Sequence, residues 1–221
     1  MTAESAGVTQ VRADVIATAL AMQSRGINNG MSGNVSVRID DAVLITPSSV
    51  AYDELGVDDI VLMHPNGDFD VANDRQPSSE WRFHLDVFAA RPDAAAIVHA
   101  HPVAATALSC HRRGIDSFHY MVAVAGGRDI RCADYATFGT AELSANVVAA
   151  LDGRKACLMA NHGLLAIGSS LSNALDLAVE VEVLAAQYLA ALALGEPKKL
   201  TEAQMDEVIH KMSAGAGYGS T

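Results

Sequence analysis

Glu80, His99 and His101 fall in one stretch, residues 78–101, and with His162 further on they are the side chains best suited to chemistry. His99 and His101 close the apolar run Ala96-Ile97-Val98, which predicts a buried strand. Residues two apart on a strand point the same way, so both imidazoles face one side. Two histidines on one buried face are costly unless something uses them. Together with a carboxylate they make most of a divalent-metal site of the zinc type. Zn(2+) is favoured by three nitrogens and one carboxylate, although manganese or cobalt would fit the same ligands. His162, in Asn161-His162-Gly163 directly after the apolar run 156–160, is the candidate third nitrogen. His64, His84, His111, His119 and His210 are read as surface or hydrogen-bonded residues.

A second group has the character of anion donors. Gly33-Asn34, Ser48-Ser49 and Ser78-Ser79 fall in turns beside strand or helix ends, where free backbone N–H groups bind oxyanions. Any one of these pairs is adequately explained as turn chemistry or helix capping. Only their recurrence suggests a phosphate site. Gly215-Ala216-Gly217 follows no strand and carries no dinucleotide signal.

The elements that must position these groups can be read from periodicity. Residues 11–25 have helical spacing and are stopped by Asn28-Asn29-Gly30. Val35, Val37 and Ile39 alternate with polar residues, and Asp40-Asp41 turns the chain into residues 43–45 as a hairpin. Residues 60–63 form a third strand, turned at residues 64–67 towards Phe69 and Val71. A helix over residues 79–91 has a serine to cap it, Glu80 in its first turn and Pro92 at its end. Strand 95–101 and helix 103–113 follow, then a strand over 118–125 ending in Gly126-Gly127. Loop 135–140 leads into a helix to about residue 151, and strands 156–160 and 164–167 bracket His162. Helices over 171–194 and 201–212 complete the fold, with residues 213–221 as a Gly-rich mobile tail. Strands in the middle with helices between and around them imply a single α/β/α domain, residues 1–221, with a central, mainly antiparallel sheet.

Composition narrows the function. Half of the 221 residues are hydrophobic and the formal net charge is −11, with no basic stripe, which argues against nucleic acid and anionic lipid as partners. Segment 1–12 has no signal-peptide core, and the apolar run 171–194 carries Asp176, Glu180 and Glu182, which argues against a membrane span. Cys110, Cys132 and Cys157 are an odd number without Cys-x-x-Cys spacing, as expected in a reduced, cytoplasmic compartment.

In order along the chain, Gly33-Asn34-Val35-Ser36, Thr46-Pro47-Ser48-Ser49, Ser78-Ser79-Glu80, His99-Ala100-His101 and Asn161-His162-Gly163 resemble the class II aldolase/adducin family. Tyr120-Met121 with Gly126-Gly127, and the run Tyr135-Ala136-Thr137-Phe138-Gly139-Thr140, narrow the likeness to its L-fuculose-phosphate aldolase members. The resemblance covers residues 11–194. It implies a zinc enzyme, a homotetramer, that reversibly cleaves a ketose 1-phosphate to dihydroxyacetone phosphate and an aldehyde, L-lactaldehyde in the case of L-fuculose 1-phosphate. It implies Glu80, His99, His101 and His162 as metal ligands, with Glu80 also the base. It places Gly33, Asn34, Ser48, Ser49, Ser78 and Ser79 at the phosphate, Tyr120 as an acid contributed to a neighbouring subunit, and Tyr218 at a tail position.

Those roles are chemically coherent. Breaking a carbon–carbon bond beside a ketone leaves an enediolate, whose oxygens need a cation. A metal supplies it without a Schiff-base lysine, and the four lysines, Lys155, Lys198, Lys199 and Lys211, lie in none of the motifs. The sequence departs from its relatives at Met31, where a small hydroxyl residue is common, at Ser48-Ser49 in place of Thr-Gly, and at Asn161 in place of histidine. These changes bear on the sugar rather than the metal. Glu at position 80 rather than Asp argues against the related sugar-phosphate 4-epimerases. A decarboxylase on the same chemistry and a non-catalytic, metal-stabilised adducin-like binding protein are the other readings.

Overall fold

The computed structural model describes residues 3–70 and 74–214. Among these residues seven strands form one sheet in the order β3-β2-β1-β4-β7-β6-β5. They are β1 (Asn34–Ile39), β2 (Ala42–Ile45), β3 (Val61–Met63), β4 (Ala96–Ala100), β5 (Arg131–Ala133), β6 (Ala156–Met159) and β7 (Gly163–Gly168). Around them lie the helices α1 (Ala3–Ser24), α2 (Trp81–Ala90), α3 (Val103–Cys110), α4 (Ala141–Ala150), α5 (Leu171–Leu192) and α6 (Glu202–Ser213).

The period-2 alternation of the strands divides the core into two layers. Ala96, Val98 and Ala100 of β4 face one layer, shared with α1, α3, α5 and α6, while Ile97 faces the other, shared with α2 and α4. His99 follows the odd-numbered set, so it points to the α2 side, where its ring meets Phe83 edge-on at 5.4 Å. An α/β/α sandwich with a mainly antiparallel sheet results. One pair is parallel, β5 with β6, so the sheet is mixed. Register then places the chemistry: Asn34 of β1 stands opposite His99 of β4, which on its other side stands opposite Leu165 of β7.

Several local expectations change. Residues 120–125 are a 3-10 helix rather than a strand. The His119 ring accepts a hydrogen bond from the Met121 N–H, and Val122 and Ala125, three apart and both buried, share the inner face of a threefold helix. Gly126, at φ 88°, then ends it. β5 has no counterpart in the periodicity, because three residues of Arg-Cys-Ala show no usable alternation. α1 starts at Ala3 rather than near residue 11, and Val8 extends the apolar spacing of Val11 and Val15 by one turn towards the N-terminus. Helix α2 has Glu80 at its N-cap without a side-chain cap, and Ser78 Oγ accepts from the Glu80 N–H instead. Helix α6 takes in Ser213 of the expected tail. Val71, Gly215-Ala216-Gly217 and Tyr218 lie outside the described residues.

Candidate metal centre

Four side chains from three separate segments meet at one end of the sheet. Glu80 comes from the start of α2, His99 and His101 from the end of β4, and His162 from the turn between β6 and β7. One ligand-type atom of each lies within 4.8 Å of all the others. The three imidazole rings stand edge to face, with centroids 4.7, 4.8 and 4.9 Å apart.

The turn that delivers His162 is held by backbone chemistry. Asn161 adopts φ 56°, a left-handed conformation that asparagine tolerates better than most residues. Gly163 then approaches β4 so closely that a β-carbon there would lie 2.4 Å from the Ala100 carbonyl oxygen. Gly33 plays the same part before β1, where a β-carbon would meet the His99 carbonyl oxygen at 2.6 Å.

The His99 ring is presented with its lone pair inward. His99 Nδ1 donates to the Leu164 carbonyl at 2.8 Å, which leaves Nε2 bare in the neutral ring. That Nε2 lies 2.9 Å from His101 Nε2 and 3.1 Å from Glu80 Oε2. His162 Nε2 is 2.9 Å from Glu80 Oε1, yet Oε1 is buried without a hydrogen-bond partner, because the two atoms are close but not aligned. Four donor atoms gathered this closely, three imidazole nitrogens and a carboxylate oxygen, fit a cation. A tetrahedral zinc with bonds of about 2.0–2.1 Å would hold its ligands ~3.4 Å apart.

Electrostatics are set by the same packing. Burial tends to raise the Glu80 carboxyl, but the close approach of His99 and His162 outweighs it and holds the group well below the usual carboxylate range. His101 is pushed down to about 3, first by burial and then by the charges of His99 and His162. An ionised Glu80 carboxylate and a neutral His101 imidazole are the protonation states of metal ligands.

A cavity of ≈ 310 Å³ opens over the cluster, lined by Ser32, Ser79, Glu80, His101, Tyr135, Ala136, Phe138, Asn161 and His162. Of the expected phosphate residues, Ser79 lines it and Ser78 is buried beneath it. Ser48 and Ser49 do not line it; their hydroxyls face each other at 3.3 Å, with Ser49 at φ 60°. The Ser48 N–H bonds the Gln76 carbonyl and the Ser78 N–H bonds the Thr46 carbonyl, so two backbone donors are engaged within the chain. Asn34 turns its side chain onto Ser78 Oγ and Glu80 Oε2. Tyr120 is 46% exposed and is absent from the cavity wall.

Several residues gain a place at the site that their sequence positions did not suggest. Tyr135 and Phe138 expose their rings and line the cavity; the run 135–140 carries the family likeness in the sequence but points to no role at the site. His84 is fully buried and hydrogen-bonded to Ser36 and Asn34, the bonded rather than the surface alternative. Among the described residues no helix is long and apolar enough to cross a membrane.

Comparison with known proteins gives a consistent answer. A family model for the class II aldolase and adducin N-terminal domain matches residues 13–189. A 5-methylthioribulose-1-phosphate/5-deoxyribulose-1-phosphate aldolase of Rhodospirillum rubrum is 49% identical over 201 residues, covering 91% of this chain and 90% of the relative. An L-fuculose phosphate aldolase of Escherichia coli (strain K12) is 50% identical over 183 residues, covering 83% and 84%. A solved structure of an L-fuculose 1-phosphate aldolase shares 40% identity and a TM-score of 0.89 over 92% of this chain and 96% of that one.

Proposed function

The chain belongs to the class II aldolase and adducin family and is an aldolase acting on sugar phosphates, and from that premise we propose a zinc-dependent enzyme that reversibly splits a ketose 1-phosphate into dihydroxyacetone phosphate and an aldehyde. The observation that carries this reading is the buried Oε1 of Glu80, left without a hydrogen bond in a cluster with His99, His101 and His162. A divalent cation there supplies Lewis acidity to the oxygens of the substrate's carbonyl end. Glu80 takes the proton from, or returns it to, the carbon beside that carbonyl, being ionised and at the cavity floor.

Ser78 and Ser79 hold the phosphate, and the segments Gly33-Asn34 and Ser48-Ser49 shape that end of the site. Tyr120, contributed to a neighbouring subunit in a homotetramer, takes the proton from the hydroxyl that becomes the aldehyde oxygen in cleavage and returns it in condensation; its exposure, and its absence from the cavity wall of its own chain, support that role. The enzyme works in the cytoplasm.

L-fuculose 1-phosphate is the first substrate to test, with L-lactaldehyde as the second product. A 5-deoxyribulose 1-phosphate or its methylthio counterpart is the second, favoured by the relative from Rhodospirillum rubrum. Tyr135, Ala136 and Phe138 offer an apolar flank suited to the unhydroxylated end that these ketoses share. The deciding experiment assays ketose 1-phosphates and 5-phosphates with chelator-stripped and zinc-restored protein. Zinc-dependent release of dihydroxyacetone phosphate is expected, and full activity in metal-free protein would overturn the proposal. Product identification by NMR separates cleavage from 4-epimerisation and decarboxylation.

A further inference from the structure

Asn34 is the hub of the polar interior beneath the cluster. It is 3% exposed, and its side-chain amide is engaged at both ends. One amide hydrogen goes to Glu80 Oε2 at 2.9 Å and the other to Ser78 Oγ at 3.0 Å. Its carbonyl Oδ1 lies 2.5 Å from His84 Nε2, and His84 Nδ1 lies 2.6 Å from Ser36 Oγ. Ser36 and His84 are both wholly buried.

The direction of this chain of bonds is fixed from its far end. An ionised carboxylate only accepts, so Asn34 must turn its NH2 towards Glu80. Its Oδ1 then faces His84 and requires a donor, which places the ring hydrogen on Nε2. A neutral imidazole carries one hydrogen, so Nδ1 is an acceptor and the Ser36 hydroxyl donates to it. Phe83 stacks on the His84 ring at 4.7 Å between centroids and limits its rotation. Were His84 in the other tautomer, two acceptors would face each other at Oδ1, and a flipped amide would set its oxygen against Glu80 Oε2.

We propose that His84, locked by Ser36, is a positioning residue that fixes the Asn34 amide and through it the carboxylate of Glu80 and the hydroxyl of Ser78. Ser78 Oγ accepts from both Asn34 and the Glu80 N–H, at 3.0 and 3.3 Å, so its own hydrogen is directed away from them. One amide thus aligns the metal-side carboxylate and a hydroxyl donor for the substrate anion. Oε2 is pinned while Oε1 stays without a hydrogen bond. The inference rests on the proposed role of Glu80 as ligand and base.

The test compares His84→Phe, which removes the donor, with His84→Gln, which can return an N–H near the Nε2 position. Zinc affinity is read by chelator competition, and kcat and KM on the substrate found by the panel of ketose phosphates. Folded His84→Phe is expected to bind zinc about 10–100-fold more weakly and to lose kcat by a similar factor, with KM less affected. His84→Gln should recover most of both. A folded His84→Phe with wild-type zinc affinity and kcat, or a His84→Gln as impaired as His84→Phe, overturns the proposal.

Where His84→Phe does not fold, ¹⁵N NMR of the metal-free wild-type protein at pH 7 decides. It should show His84 neutral with the hydrogen on Nε2, and Ser36→Ala should weaken zinc binding. An Nδ1–H tautomer, or unchanged zinc affinity in Ser36→Ala, overturns it. If no ketose phosphate is cleaved at all, the tautomer and zinc affinity still decide the matter, so failure of the aldolase reading is told apart from failure of this one.

Discussion

Gly163 stands against His101 so closely that a β-carbon at position 163 would lie 2.7 Å from the ring's Cδ2. The same methyl group would also meet the Ala100 backbone oxygen at 2.4 Å, and backbone cannot swing aside as a flexible side chain can. Two histidines of the cluster are therefore spaced by the absence of a side chain between their strands.

Gly163→Ala is accordingly expected to separate β7 from the end of β4 and to spoil the placement of both His101 and His162. Overpacking of this kind costs about 1–3 kcal/mol. Urea denaturation should show a lower midpoint, and metal analysis should show substoichiometric zinc after dialysis. A variant with wild-type midpoint and full metal content would show that the two strands have room to spare.

Glu80→Gln keeps the shape of the buried side chain and its contact with Asn34, but removes the charge and the base. Loss of general-base catalysis alone is worth about 10²–10⁴ in rate. Turnover should fall by at least that much while circular dichroism and the melting profile remain native-like. Near wild-type release of dihydroxyacetone phosphate would remove Glu80 from the proton-transfer role.

How far the sequence discloses this site depends on what holds each residue. His99 and His101 are visible because strand periodicity alone fixes their common direction, and Glu80 because Pro92 and the helical spacing mark its helix. The Ser36–His84–Asn34 chain is not visible, since it joins two strand positions to a helix position through tertiary register. Residues 120–125 mislead because an apolar, β-branched run suits a strand and a short buried 3-10 helix equally. β5 is too short to show a period and owes its existence to pairing with β6. Tyr135 and Phe138 belong to a loop, where no period exists to say which side faces the cavity.

Acid should destabilise the metal-free protein through its buried histidines. Burial, reinforced by the charge of His99, pushes His84 down to about 3, against an ordinary value of 6.5 in the unfolded chain. Between those values the unfolded state binds the extra proton, so this residue's contribution is intact above ~6.5 and is lost as pH falls towards 3. One proton gives a slope of up to about 1.4 kcal/mol per pH unit. Urea midpoints measured from pH 7 to pH 4 should fall, and more steeply in wild type than in His84→Gln. Parallel curves for the two proteins would mean that His84 does not titrate on unfolding.

Glu182 of α5 offers a different route to His101. Its two carboxylate oxygens accept the backbone N–H groups of Ala104 and Ala105, each at 2.8 Å, at the start of α3. The helix has Pro102 at its N-cap and no side-chain cap of its own, so a residue 78 positions away satisfies the donors that a local serine or aspartate would otherwise take. A carboxylate there also opposes the positive end of the helix dipole. Because α3 begins directly after His101 and Pro102, this clamp fixes where β4 ends. Glu182→Ala should cost about 1–2 kcal/mol, seen as a lower urea midpoint with an unchanged slope. Glu182→Gln, which keeps one acceptor oxygen, should fall between it and wild type. Zinc affinity should follow the same order, since a looser α3 leaves His101 a wider range of positions. If Glu182→Ala keeps the wild-type midpoint, water replaces the carboxylate at no cost and the clamp does not hold His101.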